Sequence, residues 1–201
     1  MNISDYIIDK VRLNREHEPP YLFPGNRWGW LPDLCNLAGF AVGAEIGVSG
    51  GRFTKRLCDT VPGLKMYAID PWEWYDYYGD RSNQWRMDRA HRKALEVLTP
   101  LNCEIIRDYS AQAVGRFTDG SLDFIYLDAN RSFEGVTQDL TLWSEKVRPG
   151  GIICGCCYYN ERDYKIGQVK KAVDFWTAAH GIDPWFVLVH HRYPCYLWER
   201  P

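Results

Sequence analysis

The sequence has little excess of charge of either sign. Its 24 lysines and arginines nearly balance its 26 aspartates and glutamates, so that the formal net charge is −2. Proteins that bind nucleic acid or an anionic membrane through bulk charge carry a basic surplus. The composition therefore argues against nucleic acid and against a membrane as partners.

Long hydrophobic runs are also missing. The longest apolar stretch without a charge, around residues 150–159, has about half the length that a bilayer-spanning helix needs. No basic segment followed by an apolar one opens the chain, as it would in a signal peptide. The 7 cysteines are odd in number and scattered, unlike a disulfide framework. We expect a reduced, cytoplasmic protein.

Aromatic residues, by contrast, are abundant and make up 15% of the 201 residues. Large flat side chains in that number are typical of a heavy core together with a pocket or an interface. The length suits a single domain. We interpret residues 1–39, in which helical patterns flank an aromatic, glycine-containing loop at 21–30, as an N-terminal helical cap on a domain that spans 40–201.

From residue 40 onward, short apolar runs alternate with amphipathic stretches. Strands are predicted at 40–47, 64–69, 103–107, 122–127, 151–156, 185–189 and 195–198. Helices are predicted at 52–61, 85–98, 132–147 and 167–179. This alternation predicts an α/β fold with a doubly wound, seven-stranded, mostly parallel sheet covered on both faces. The link between the last two strands is too short for a parallel crossover, so one of them should run antiparallel.

Two strand ends carry residues suited to a nucleotide-like ligand, because open parallel sheets bind ligands beyond the carboxyl ends of their strands. Glycines between Gly47 and Gly51 allow a tight turn into a helix, although a plain strand-to-helix turn would use them as well. Asp70 follows about 20 residues later, the spacing at which a carboxylate reaches ribose hydroxyls. Alone, Asp70 could cap a turn with Pro71. Together, the glycines and the acid indicate an adenosine-type ligand.

The spacing of the glycines, Glu-x-Gly-x-x-x-Gly, departs from the Gly-x-Gly-x-x-Gly pattern of dinucleotide-binding proteins. At this point the sequence resembles the class I S-adenosylmethionine-dependent methyltransferases, over about residues 40–160, and most closely their small-molecule O-methyltransferase branch. The matching segments are AEIGVSGGRF at 44–53, AIDPW at 68–72, DYS at 108–110, DGSLDFIYLDA at 119–129 and VRPGG at 147–151. The resemblance implies the Rossmann-like methyltransferase fold.

The resemblance also implies a role for each matching position, with S-adenosylmethionine as the cofactor. The implied cofactor-binding residues are Glu45, Gly47, Val48, Ser49 and Gly51 for the methionine portion, Asp70 for the ribose, Trp72 beside the adenine, Asp108, Tyr109 and Ser110 at the adenine edge, and Asp128 beside the transferred methyl. A sulfonium is favourably placed near carboxylates and aromatic faces.

Two departures from the family pattern bear on catalysis. Arg131 stands where the branch has histidine, and Gly-Cys-Cys-Tyr at 155–158 stands where it has Gly-His-Asp-Tyr. Asp128 alone would hold magnesium poorly, so no metal site is predicted. Arg131, the second candidate catalytic residue with Asp128, cannot act as a base. It could grip a carboxylate or phosphate of the acceptor, or form a simple ion pair.

The cysteines at 154, 156 and 157 could be a soft-metal site, but small apolar fillers fit the pattern better. Alternate strand residues share a face, which would direct Cys157 away from Cys154 and Cys156. The insert at 72–100 begins with an aromatic run, 72–80, predicted to form an acceptor lid or else a packing surface between copies of a homo-oligomer. His190 and His191 could serve as a base or lie in a surface turn.

The predicted function is methyl transfer from S-adenosylmethionine to a small-molecule acceptor, at oxygen and without a metal. Methyl transfer depends more on an in-line acceptor than on acid–base groups. A non-catalytic S-adenosylmethionine-binding domain is the first alternative, because the histidine and aspartate of the branch are replaced. A nicotinamide-dependent oxidoreductase is the second, and the glycine spacing disfavours it.

Overall fold

A computed structural model of the chain describes residues 2–75, 83–159, 168–189 and 193–201. Its strands are β1 (Tyr21–Phe23), β2 (Val42–Ile46), β3 (Lys65–Ile69), β4 (Cys103–Ile106), β5 (Leu122–Leu127), β6 (Val147–Gly155), β7 (Phe186–Leu188) and β8 (Cys195–Glu199). Its α-helices are α1 (Ile3–Val11), α2 (Arg27–Ala38), α3 (Arg52–Thr60), α4 (Gln84–Leu98), α5 (Ser110–Ala113), α6 (Phe133–Ser144) and α7 (Val169–Ala179).

All eight strands belong to one sheet, in the order β1-β7-β8-β6-β5-β2-β3-β4. Every neighbouring pair is parallel except the two that involve β8, which runs antiparallel to β6 and to β7. The predicted α/β fold with a mostly parallel sheet is confirmed, as is the antiparallel strand near its end. The short link between β7 and β8 leaves no room for a crossover helix, which fixes that direction.

The sheet lies between two groups of helices. Helix α3 packs on both α2 and α4, and α5 and α7 each pack on α6. Four of the five residues of β2 and five of the six of β5 are buried, as expected for strands covered on both faces. No helix in the described ranges is both long and apolar enough to cross a membrane.

The sheet has one strand more than predicted, because the predicted loop at 21–30 begins with β1. Tyr21 and Phe23 are buried while Leu22 between them is exposed, and β1 pairs in parallel with β7. Three residues carry a single alternation, which is too short a pattern to distinguish a strand from a loop. The rings of Tyr21 and Phe23 both pack on Phe186, so packing rather than local propensity holds this edge strand in place.

Helix α2 begins earlier than its apolar spacing indicates. Asn26 is its N-cap, and the Asn26 side chain accepts hydrogen bonds from the backbone N–H groups of Trp28 and Gly29. Arg27 is therefore the first helical residue. Its side chain reaches the carboxyl end of β5, where it contacts the candidate site.

Candidate functional site

A cleft of about 490 Å³ opens beyond the carboxyl ends of the central strands. The chain continues from β2 to β3 on one side, while β5 lies on the other side of β2, and such a switch point is where open α/β sheets bind ligands. Residues that line the cleft include Gly47, Asp70, Tyr109, Ser110, Ala129 and Asp139. Among the described lining residues there are two carboxylates and no basic side chain, which suits a ligand with positive charge.

The turn after β2 depends on glycine at two positions. Gly47 has a φ of 94°, and a Cβ there would overlap the backbone carbonyl of Asp128. Gly51, with a φ of 77°, is the N-cap of α3 and makes no side-chain capping bond. Gly47 therefore lets the ends of β2 and β5 approach each other at the cleft, whereas a Cβ at Gly51 would meet Leu98 and Val97 of α4.

Asp70 connects the end of β3 to this turn. Its Oδ2 accepts a hydrogen bond from the backbone N–H of Ser49 at 2.9 Å, and its Oδ1 accepts one from that of Trp72 at 2.8 Å. Burial raises the pKa of Asp70 above its ordinary value, although the two hydrogen bonds act to lower it. Since each carboxylate oxygen has two lone pairs, Asp70 can still accept hydrogen bonds from a ligand in the cleft that it lines.

Trp72 was predicted to flank the adenine, and that prediction is wrong. Its side chain has 0% exposure and lies under the turn, where Nε1 donates a hydrogen bond to the carbonyl of Ser49 at 2.8 Å. The indole stacks on His91 of α4 and packs in a small cluster with Val48. Buried aromatic side chains of this size contribute mainly packing energy, so Trp72 supports the turn from below.

The residues after β4 have different surroundings from one another. Tyr109 lines the cleft with 44% of its surface exposed, and its hydroxyl donates to Glu73 at 2.6 Å. Ser110 also lines the cleft, accepting a hydrogen bond from the indole N–H of Trp143 at 2.7 Å. Asp108 accepts from the N–H of Tyr109 and is absent from the described cleft lining.

Asp139, on α6, was not predicted as a site residue. Its carboxylate lines the cleft, accepts a short hydrogen bond from Ser110, and is buried, which raises its pKa to about 6. A signal for it was present in the sequence. Asp139 interrupts the apolar stripe that Val136, Leu140 and Trp143 form, and a carboxylate on a buried helix face needs a specific partner.

Glu45 lies under the site. It is 3% exposed, its Oε2 accepts a short hydrogen bond from the hydroxyl of Thr54 on α3, and burial raises its pKa to about 8. The predicted contact of Glu45 with a methionine portion stays a prediction, because no atom of Glu45 is among the described cleft lining.

Asp128, at the end of β5, binds an arginine on each carboxylate oxygen. Its Oδ2 lies 3.1 Å from Nη1 of Arg27, and its Oδ1 lies 3.0 Å from Nη2 of Arg131. Its side chain is 14% exposed. Burial raises the pKa of Asp128 to about 7, while the two guanidinium groups favour its charged form.

Arg27 is a second site residue that sequence reasoning missed. Its Nη1 also donates to the hydroxyl of Tyr126 at 2.6 Å, and the rings of Trp28, Phe53 and Tyr126 surround the guanidinium at 5.1 to 5.4 Å. It is separated from Asp128 by 101 positions and belongs to a segment interpreted as a loop. No local pattern could have paired these two residues.

Strand alternation predicted that Cys156 and Cys157 point to opposite sides of the sheet, and that prediction is wrong. Their Sγ atoms lie 2.9 Å apart. The alternation fails because β6 ends at Gly155 and Cys157 has a left-handed φ of 71°. Both thiols lie near the carboxylate of Asp128, with the ligand atoms of the three residues within 4.8 Å of one another.

Some predicted residues lie outside the described ones. They are His190, His191 and positions 76–80 of the aromatic run. Within the described part of that run, Tyr75 lines the cleft and Trp74 is exposed.

Comparison with known proteins agrees with this geometry. The model of a family described as "Methyltransferase domain" matches residues 44–155. A putative O-methyltransferase from Klebsiella pneumoniae is 15% identical, with a TM-score of 0.63 over 100% of this chain and 91% of that one. The O-methyltransferase TomG from Streptomyces achromogenes, involved in tomaymycin synthesis and solved with S-adenosylmethionine, is 14% identical, with a TM-score of 0.63 over 100% and 97%.

An O-methyltransferase from Bacillus cereus, solved with S-adenosylhomocysteine, is 15% identical, with a TM-score of 0.56 over 99% of this chain and 90% of that one. At such low identities these likenesses show a shared fold. No curated protein sequence matches the chain significantly.

Proposed function

The chain belongs to the methyltransferase-domain family, and on that premise we propose that it transfers a methyl group from S-adenosylmethionine to a small-molecule acceptor, at oxygen and without a divalent metal. The observation that carries the proposal is the cleft at the switch point, where Gly47 and Asp70 form one wall. Both residues fall in the segment that the family model matches.

The cleft residues fit the proposed cofactor. Asp70 has acceptor capacity for ribose hydroxyls, and the glycine turn lets a ligand approach the backbone between β2 and α3. Asp70 and Asp139 give the lining the negative charge that a cation with a sulfonium and an ammonium requires. When bound, the cofactor supplies an electrophilic methyl group. The protein's own part is to hold the donor and the acceptor in line.

The donor set near Asp128 does not fit magnesium. Hard divalent cations prefer several oxygen ligands, and the group here offers one carboxylate with two thiols. Both oxygens of Asp128 already bind guanidinium groups, whose charge would repel a cation. We therefore assign no step to a metal.

We also infer that the start of the insert at 72–100 forms part of the rim of the cleft. Tyr75 lines the cleft, and Glu73 accepts the hydrogen bond of Tyr109 from the neighbouring strand end. This position supports the role of an acceptor lid for the insert.

The proposal is tested in two steps. Calorimetric titration of S-adenosylmethionine and of S-adenosylhomocysteine measures binding, with NAD as the control ligand. Formation of S-adenosylhomocysteine with a panel of hydroxylated acceptors then measures turnover, which we expect to be the same with EDTA as without it. Loss of turnover in EDTA and its rescue by magnesium would contradict the metal-independent part, and binding of NAD alone would contradict the whole.

A non-catalytic cofactor-binding domain is the second candidate, favoured by the arginine pairs of Asp128. The two guanidinium groups on Asp128 favour its charged form over proton uptake, and Arg131 is a permanent cation that cannot act as a base. Tight cofactor binding with no product from any acceptor, in a panel that includes anionic acceptors, would favour this second candidate.

A further inference from the structure

The group around Asp128 combines two guanidinium groups with one carboxylate and the Cys156 thiol, whose pKa is lowered by its hydrogen bonds with Cys157 and Cys195 and by both arginines. Arg27 and Arg131 contribute two guanidinium groups against the single carboxylate of Asp128. This arrangement differs from the cleft lining, where the charged side chains described are carboxylates.

Several N–H donors of the Arg131 guanidinium make no hydrogen bond to the residues that the structure describes. A guanidinium carries five N–H groups in a planar fork, and within the described part of the chain Arg131 uses one of its nitrogens, Nη2, on Asp128. Its side chain is 43% exposed. Its backbone is fixed, because the carbonyl of Arg131 accepts a hydrogen bond from the N–H of Gln168, the N-cap of α7, at 2.9 Å.

Arg27 holds the opposite side of the same carboxylate. Its side chain is 20% exposed and is enclosed by three aromatic rings. Because Arg27 occupies Oδ2, Asp128 engages Arg131 through Oδ1 alone and does not take up the whole fork. Within the described ranges, the remaining edge of the Arg131 guanidinium makes no hydrogen bond, and we expect it to take a bidentate partner.

We propose that Arg131 binds an oxyanion of the acceptor, a carboxylate or a phosphate, and that Arg27 is the positioning residue that keeps the Arg131 fork open. This inference rests on the proposed function and specifies its substrate class: acceptors with an anionic group are selected over neutral isosteres. Arginine suits the task because its fork matches the two oxygens of a carboxylate or phosphate.

The test titrates benzoate, phenyl phosphate and benzamide into the protein, with and without S-adenosylhomocysteine, by calorimetry. We expect benzoate or phenyl phosphate to bind at least roughly tenfold more tightly than the neutral benzamide, and which of the two binds better tells carboxylate from phosphate acceptors. Arg131→Gln should abolish the preference, and Arg131→Lys should retain part of it. Arg116→Gln removes an exposed arginine that is absent from the described cleft lining and from the group around Asp128, and it serves as the matched control.

The positioning role of Arg27 has its own test. Arg27→Gln should lower the ratio of benzoate to benzamide affinity, and Arg27→Lys should restore part of it. A purely structural role would shift the melting temperature and leave this ratio unchanged.

The proposal is overturned if benzamide binds as tightly as the anions, if no anion binds at millimolar concentration, or if Arg131→Gln keeps the wild-type preference. Failure of the proposed function has a different result. In that case the wild-type protein does not bind S-adenosylhomocysteine, and the anion titration of the free protein still decides the role of Arg131.

Discussion

The cleft wall formed by Gly47 and Asp70 and the group formed by Arg27, Asp128 and Arg131 differ in charge and in construction. The cleft wall is built from two short turns whose backbone N–H groups bond the carboxylate of Asp70. The arginine group is built from side chains that the fold brings together across 101 positions. The first is suited to a cation, the second to an anion, and Asp128 lies where they meet.

The two regions also differ in how far they fall within the segment that the family model matches. The backbone turns lie within the segment that the family model matches, whereas Arg27 lies before it. A residue outside the family segment therefore helps to determine the charge around Asp128. Acceptor choice can change through such residues while the cofactor side stays the same.

The largest expected effect concerns Glu45 under the cleft wall. Its pKa is about 8 in the folded protein, against 4.5 ordinarily, so the folded state holds the proton more tightly. Glu45 should therefore make its full contribution to the free energy of unfolding below about pH 4.5. That contribution, on the order of a few kcal/mol, should be lost as the pH rises from about 4.5 to about 8. Glu45→Gln should lack this decline while keeping an acceptor for Thr54.

Chemical unfolding across this pH range measures the effect, and Glu104→Gln, at an exposed position, is the matched control. Asp128 titrates in both proteins, so the difference between wild type and Glu45→Gln isolates Glu45. If the stability curves of wild type and Glu45→Gln were parallel across this pH range, Glu45 would be charged at neutral pH and would add to the negative charge near the cleft wall.

The second effect is that of Gly47→Ala. A methyl group there would meet the backbone of Asp128 in a left-handed conformation, so both steric overlap and backbone strain oppose it. We expect a loss of about 3 kcal/mol in the free energy of unfolding, measured by denaturant titration. Gly63→Ala, also at positive φ but with open space around the added methyl, is the control that separates strain from overlap.

The third effect concerns Asp70→Ala. Cofactor binding should weaken by about 1.5 to 3 kcal/mol, the range for hydrogen bonds to a charged group, as measured by calorimetry. Asp59→Ala, which removes an exposed carboxylate on α3, should bind normally. An unchanged dissociation constant for Asp70→Ala would remove Asp70 from the binding site.

The strands β2 to β8 with their approximate bounds, and the glycines and carboxylate of the cleft wall, were predictable, because they depend on local patterns. Apolar runs and glycines at strand ends are visible in a few consecutive residues, and the parallel sheet then places Gly47 beside Asp70. The arginine group was not predictable in this way. Its geometry depends on how α2 packs near β5, and no periodicity in residues 21–38 encodes that contact.

The vicinal thiols and Trp72 illustrate two further limits. Alternation predicted opposite directions for Cys156 and Cys157, but the rule applies only inside a strand, and β6 ends at Gly155. The position of Trp72 after a ribose-binding strand end suggested a contact with adenine. Its complete burial under α4 follows from tertiary packing, which the sequence motif does not indicate.

The smallest expected effect tests Trp72 as a support of the cleft wall. Trp72→Phe keeps an aromatic ring in the cluster but removes the hydrogen bond from Nε1 to the carbonyl of Ser49. We expect a loss of about 1 kcal/mol in the free energy of unfolding, with a comparable or smaller weakening of cofactor binding, because the turn loses one anchor while Asp70 still holds the Ser49 N–H. Trp85→Phe, at an exposed position of α4, should change neither quantity. If Trp72→Phe weakened cofactor binding far more than it lowered the free energy of unfolding, Trp72 would have to contact the cofactor directly. Its role as a buried support of the cleft wall would then be contradicted.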